Sequence, residues 1–204
     1  MSETTQRLQG KKVAILVTDG FEEVELTQPR QALIEAGAVT EVVSPNETQV
    51  QAWNHDKPAG VVSVDRPLNS ARASEYDALL LPGGVANPDK LRMNGDAMDF
   101  VRHFFNADKP IAAICHGPWS LVEINAVRGR RLTSWPSLHT DIQNARGRWV
   151  DEEVVVDQGL VTSRKPADIP AFNAKMIEEF AEGRHAGREE TPSAPMSTSA
   201  AGRT

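Results

Sequence analysis

Short unbroken apolar runs alternate with amphipathic stretches from Lys11 to Glu182. Val13–Thr18 (VAILVT), Ala78–Leu81 and Ile111–Ile114 are aliphatic, small and β-branched with no polar face, the pattern of strands buried on both sides in a parallel sheet, and Val39–Ser44 reads as a second strand. Helical spacing fills the gaps between them. Val24, Leu26, Leu33 and Ile34 mark a first helix ending at Gly37, and Pro29 sets its start near Thr27, with the proline in the first turn. Met98, Val101, Phe104 and Phe105 line one side of a helix over Asp96–Asn106, and Phe172, Met176, Ile177 and Phe180 line the last one, Ile169–Glu182, which Gly183 ends. Weaker patterns predict a hairpin joining Thr48–Ala52 to Val61–Val64, a polar turn or helix over Asn87–Asn94, a strand at Leu132–Ser134, a helix at Leu138–Ala145, and two arms, Val150–Asp157 and Leu160–Ser163, joined at Gln158-Gly159.

Alternating strands and helices predict an α/β fold: a three-layer sandwich with a mostly parallel central sheet and right-handed crossovers. Residues 1–10 read as a polar lead, 11–183 as one domain and 184–204, rich in Ser, Thr, Ala and Gly, as a mobile tail. In such sheets ligands bind beyond the carboxyl ends of the strands. That rule gathers Thr18 to Glu22, Pro82-Gly83-Gly84 and Cys115-His116.

Composition changes this picture little. The 204 residues suffice for one full core, and 40% hydrophobic with 25% charged residues is ordinary for a globular domain. A net charge of -6 argues against nucleic acid and anionic membranes as main partners. One cysteine permits no internal disulfide, which fits a reducing cytoplasm. The first ten residues lack the apolar run of a signal peptide, and no stretch reaches the roughly 18 apolar residues of a membrane helix.

That single cysteine occupies the most informative stretch, KPIAAICHGPWS, Lys109 to Ser120. A buried strand runs into Cys115, and Pro118 begins a helix three residues later. The arrangement is like the nucleophile elbow of α/β hydrolases, where small neighbours leave the reacting atom accessible. N–H groups of the new helix would favour a thiolate and lower the thiol pKa. Gly83 and Gly84 would bring backbone N–H groups beside the sulfur, and with the His116 N–H the Gly84 N–H would form an oxyanion hole. A plain Gly-Gly turn fits the same residues. No His, Cys or Asp cluster has metal-ligand spacing, and there is no P-loop or GxGxxG pattern; no cofactor or metal is expected. His55, His103, His139 and His185 show no evident partners.

AICHGP, with LLLPGG upstream and GFEEVEL near the start, resembles the PfpI-type branch of the ThiJ/PfpI superfamily, relatives of the class I glutamine amidotransferases. The resemblance covers about Lys11 to Glu182 and implies a flavodoxin-like sheet. It assigns Cys115 as nucleophile, His116 as catalytic histidine, and Glu22 as the buried glutamate facing the cysteine, with Glu23 and Glu25 competing for that place. PfpI-type peptidases complete a Cys-His-Glu triad with an acid from a neighbouring subunit. Asp89, in PGGVANPD, falls one residue late and one methylene short of that position. It would orient His116 across an interface, or simply cap a helix. In the Parkinson-associated deglycase branch a histidine follows the threonine-rich strand end. Trp135 stands there instead and would wall the pocket.

Three functions follow from the resemblance. The first is a cytoplasmic stress-response enzyme, glyoxalase III-like or deglycase-like, in which Cys115 adds to small carbonyl compounds such as methylglyoxal. The second is an intracellular peptidase acting on peptides, and either enzyme, with small carbonyl compounds, peptides or glycated proteins as partners, would be a homodimer or larger homo-oligomer. The third is a redox-sensing thiol without turnover.

Overall fold

The computed structural model describes residues 7–185. The elements follow in chain order. Strand β1, Lys12–Leu16, leads to a two-residue strand β2, Phe21–Glu22, and helix α1, Glu23–Glu35. Strand β3, Val39–Ser44, is followed by the hairpin β4, Gln49–Asn54, and β5, Lys57–Ser63, then the short β6, Arg66–Pro67. Next come β7, Ala78–Leu81, helices α2, Ala86–Arg92, and α3, Gly95–Asn106, strand β8, Ile111–Ile114, and helix α4, Pro118–Glu123. The chain ends with β9, Arg131–Leu132, α5, His139–Asn144, β10, Arg148–Trp149, β11, Val154–Asp157, β12, Leu160–Ser163, and α6, Ile169–Glu182.

Seven strands form the central sheet in the order β11-β12-β8-β7-β1-β3-β6. Only the β11–β12 pair is antiparallel. Period-two alternation sends successive side chains to opposite faces. Val13, Ile15, Ala112 and Ile114 pack with Leu26, Leu33, Phe172 and Phe180, on the side of α1 and α6. Ala14, Leu16, Ile111 and Ala113 pack with Val101, Phe104 and Leu121, on the side of α3 and α4. The result is the predicted three-layer α/β sandwich with a mostly parallel sheet, and the hairpin pairs as its sequence suggested, Val50 opposite Val62.

Two predicted boundaries move. Helix α1 begins at Glu23, four residues before Thr27, so Pro29 lies inside it. A proline there removes the N–H that would bond to the carbonyl of Glu25. The first turn of α1 is therefore held by tertiary contacts as much as by its own ladder. The arm expected from Val150 is a strand only from Val154. Leu8, in the presumed polar lead, is fully buried, and its N–H donates to the Ala36 carbonyl. All but the first two residues of the proposed tail, and the first six of the lead, lie outside the described residues. Among the described residues no helix is long and apolar enough to cross a membrane.

Candidate active site

Parallel strands end together, and the ends of β1, β7 and β8 meet as the strand-end rule requires. At the end of β8 the backbone turns abruptly. Cys115 takes φ +61°, a left-handed conformation uncommon for a side chain with a Cβ. Its N–H donates to the Ser163 carbonyl at the end of β12, and its carbonyl accepts from the Trp135 N–H. The neighbouring strand thus fixes the elbow on one side and the Trp135 segment fixes it on the other. The cysteine is buried, with Cys115 only 7% exposed.

The β7 end supplies the opposite wall. A Cβ added at Gly83 would lie 2.5 Å from Glu25 Oε2 and 2.6 Å from Cys115 Cβ, so no larger residue fits there. Gly84 has φ +75° and packs against the Gly20 carbonyl. The Gly84 and His116 N–H groups both point at the Cys115 sulfur. Asn87, fully buried in α2, ties this wall to the end of β1: its Oδ1 accepts from the Thr18 N–H at 2.8 Å, and its Nδ2 donates to the Pro82 and Gly83 carbonyls. In the sequence Asn87 reads only as part of a cap signal.

The carboxyl facing the sulfur is Glu25, not Glu22. Glu22 points away, its Oε2 accepting from the His55 N–H at 3.0 Å, and Glu23 Oε1 accepts from the Gly60 N–H at 2.9 Å. Glu25 shares the inner face of α1 with Leu26, Pro29 and Leu33, and its Oε2 accepts from the Gly83 N–H at 3.0 Å. Its Oε1 is buried with no hydrogen-bond partner, where an ionised carboxylate needs several donors. Burial accordingly pushes the Glu25 pKa up to about 8, against smaller opposing effects from Cys115 and the Gly83 and Gly84 N–H groups. Helical phase is the signal that finds Glu25, once α1 starts at Glu23.

The thiol departs from expectation. Burial, and then the charge of an ionised Glu25, push the Cys115 pKa well up, while the Gly84 and His116 N–H groups pull it down. The predicted lowering by N–H groups does not prevail, because burial of the thiol outweighs it. His116 does turn its ring toward the sulfur, with Nδ1 3.2 Å from Sγ. Burial lowers its pKa to about 4, so the imidazole is neutral at physiological pH. Its Nε2 lies 3.2 Å from Ser137 Oγ, a partner nothing in the sequence suggested.

Asp89 lies exposed in the first turn of α2. Within one chain, Ser137 rather than Asp89 occupies the far side of the His116 ring. Trp135 stacks on that ring at 5.9 Å between centroids, and Trp119 meets it edge-on at 5.3 Å. Two indole rings thus flank the imidazole.

Known proteins resemble this chain over nearly the whole described region. The sequence profile of the DJ-1/PfpI family matches residues 11–179. Protein/nucleic acid deglycase 2 of Escherichia coli K12 is 41% identical over 168 residues, which cover 82% of this chain and 96% of that protein. General stress protein 18 of Bacillus subtilis is 40% identical over 169 residues, with the same coverage. Among solved structures, a two-domain protein from Anabaena variabilis with DJ-1/ThiJ/PfpI-like and ferritin-like domains superposes with a TM-score of 0.77 at 34% identity. The match covers 82% of this chain and 47% of that larger one.

Proposed function

The chain belongs to the DJ-1/PfpI family, and from that premise we propose that it is a cysteine-dependent enzyme acting on small reactive carbonyl compounds and their adducts, of the glyoxalase III or deglycase kind. One observation carries this: a fully buried carboxyl with a pKa near 8, Glu25, touches the thiol of a cysteine that is itself buried. With one proton between them, the pair can place its negative charge on oxygen or on sulfur. A carboxyl O–H is a strong donor and a thiol S–H a weak one. Charge on sulfur therefore keeps the strong donor, together with the Gly84 and His116 N–H groups. The proposed working state is a thiolate beside a protonated Glu25, the tautomer opposite to the one in which an ionised Glu25 pushes the thiol pKa up.

The sulfur adds to the aldehyde carbon of a 2-oxoaldehyde such as methylglyoxal. As the S–C bond forms, the carbonyl π pair moves to oxygen. The Gly84 and His116 N–H groups hold that oxygen, and the Glu25 proton neutralises it, giving a hemithioacetal. Neutral His116 then takes the proton from the former aldehyde carbon and returns it to the adjacent carbon, while the hydroxyl proton passes through the Glu25 carboxylate to the former ketone oxygen, converting the adduct to the thioester of a 2-hydroxy acid. Water attacks that thioester, its oxygen bonds to carbon, sulfur leaves as thiolate, and the proton returns to Glu25. The sum is 2-oxoaldehyde plus water to 2-hydroxy acid, with no electron donor or acceptor. The same attack on a glycated amine would release the amine, the class of chemistry named in the Escherichia coli relative.

A peptidase needs an open groove and an acid behind His116. The burial of Cys115 and His116 and the Ser137 contact favour the carbonyl reading. We place the enzyme in the cytoplasm and in carbonyl stress, the latter in keeping with the name of the Bacillus relative, and as a homodimer or larger homo-oligomer. Asp89 would meet a His116 only across such an interface. The test is lactate formation from methylglyoxal by wild type, Cys115→Ser and Glu25→Leu, with fluorogenic peptides as comparator. We expect lactate from the wild type alone, at least about a hundredfold above either variant, a loss in keeping with removal of a nucleophile or proton-transfer group. Peptide cleavage without lactate would establish the peptidase, and neither signal would leave a sensor thiol.

A further inference from the structure

At the other end of the sheet, three side chains outside this site converge. Glu179 and Glu182 lie on successive turns at the end of α6, and His185 follows Gly183. Their ligand-type atoms all lie within 4.8 Å of one another. Glu179 is buried, while Glu182 reaches solvent. His185 Nε2 is 3.1 Å from Glu179 Oε2 and 3.9 Å from Glu182 Oε2. The first of these separations suits a hydrogen bond, yet the geometry does not make one. Both Nε2 and Glu179 Oε2 are buried with no hydrogen-bond partner. Native proteins rarely leave two such atoms facing each other unsatisfied.

We infer that Glu179, Glu182 and His185 form a binding site for a divalent metal ion of the zinc type. Two donors bound to one tetrahedral zinc, each at about 2.0–2.2 Å, lie roughly 3.3–3.6 Å apart. The observed 3.1 and 3.9 Å bracket that span, and the half-exposed Glu182 can rotate to close the wider one. Imidazole nitrogen with two carboxylates suits zinc, whereas magnesium and calcium favour all-oxygen sets. Three protein ligands leave a fourth position for water on the side where Glu182 meets solvent. Sequence spacing hides the site, because His185 follows the helix rather than lying on it.

The ion would staple the chain after α6 to the amino-terminal ends of the central strands. The Gly159 N–H, just before β12, interacts with Glu179, and the His185 N–H donates to the carbonyl of Asp108, just before β8. Cys115 lies at the opposite ends of these strands, so the site is separate from the thiol chemistry.

The test is zinc binding by the full chain carrying Cys115→Ala, which removes the other soft ligand. We expect one zinc per chain after dialysis, measured by elemental mass spectrometry. Affinity, from chelator competition, should fall at least about tenfold in His185→Ala and in Glu182→Gln, while millimolar magnesium does not compete. Zinc should also raise the melting temperature of the parent protein and not of these variants, whose metal-free melting reports their folding directly. No retained zinc, or zinc whose affinity is unchanged by both substitutions, would overturn the site and leave Glu179 and His185 an ordinary ion pair.

Discussion

Glu22, Glu23 and Glu25 lie within four residues, yet their carboxylates serve three partners: the His55 N–H, the Gly60 N–H and the Cys115 site. Local charge says nothing about which one turns inward, since acidic residues suit the start of any helix. His116 is a similar case. Adjacency to Cys115 leaves its ring direction open, and the structure turns it inward between Sγ and Ser137 Oγ. Removing the hydroxyl in Ser137→Ala should loosen the imidazole without opening a cavity in the core. We expect kcat for lactate formation to fall severalfold, with stability changed by less than about 1 kcal/mol, the worth of one part-exposed hydrogen bond. An unchanged kcat would remove Ser137 from the positioning of His116. The nucleophile and the two glycines were legible in the sequence because their chemistry is local. Glu25 and Ser137 were not, because one depends on where a helix starts and the other on a loop brought from 21 residues away.

Strands β1, β7 and β8 were legible as apolar runs because both faces of each are covered, so nearly every residue carries the same signal. The start of α1 was misplaced because Pro29 normally marks a first turn. Here the turn ahead of it is held by the Gly83–Glu25 hydrogen bond instead. Two substitutions probe how the elements assemble the pocket. Gly83→Ala forces a methyl against both Glu25 and Cys115. It should cost on the order of 1–3 kcal/mol in denaturant unfolding, as overpacking does, and disable the Glu25–Cys115 contact. Asn87→Ala removes three buried hydrogen bonds and strands the Thr18 N–H. We expect a loss of about 2–4 kcal/mol, with activity falling because the ends of β1 and β7 no longer hold register. A neutral result for Asn87→Ala would mean that the strand ends are fixed by the sheet alone.

Over the whole molecule, the site makes stability depend on pH from both sides. The folded pKa of Glu25 is raised, from 4.5 to about 8, so its contribution is fully present below pH 4.5 and is lost as pH rises through about 8. The folded pKa of His116 is lowered, from 6.5 to about 4, so its contribution is present above pH 6.5 and is lost as pH falls through about 4. Glu25→Gln should flatten the alkaline decline of the melting temperature, and His116→Gln the acid one. An alkaline decline unchanged in Glu25→Gln would mean that Glu25 is ionised in the folded protein at neutral pH.

The same proton decides the chemistry, and the most direct measurement follows thiolate absorbance near 240 nm against pH in wild type, Glu25→Leu and Glu25→Gln. If Glu25 keeps its proton and donates it to the sulfur, Glu25→Leu should raise the thiol pKa by about one to two units, the worth of a charge-assisted hydrogen bond. Glu25→Gln, which still offers an N–H, should leave it near the wild-type value. If the thiol pKa falls in both variants, Glu25 is a charged neighbour that repels the thiolate, and the proposed working state is wrong.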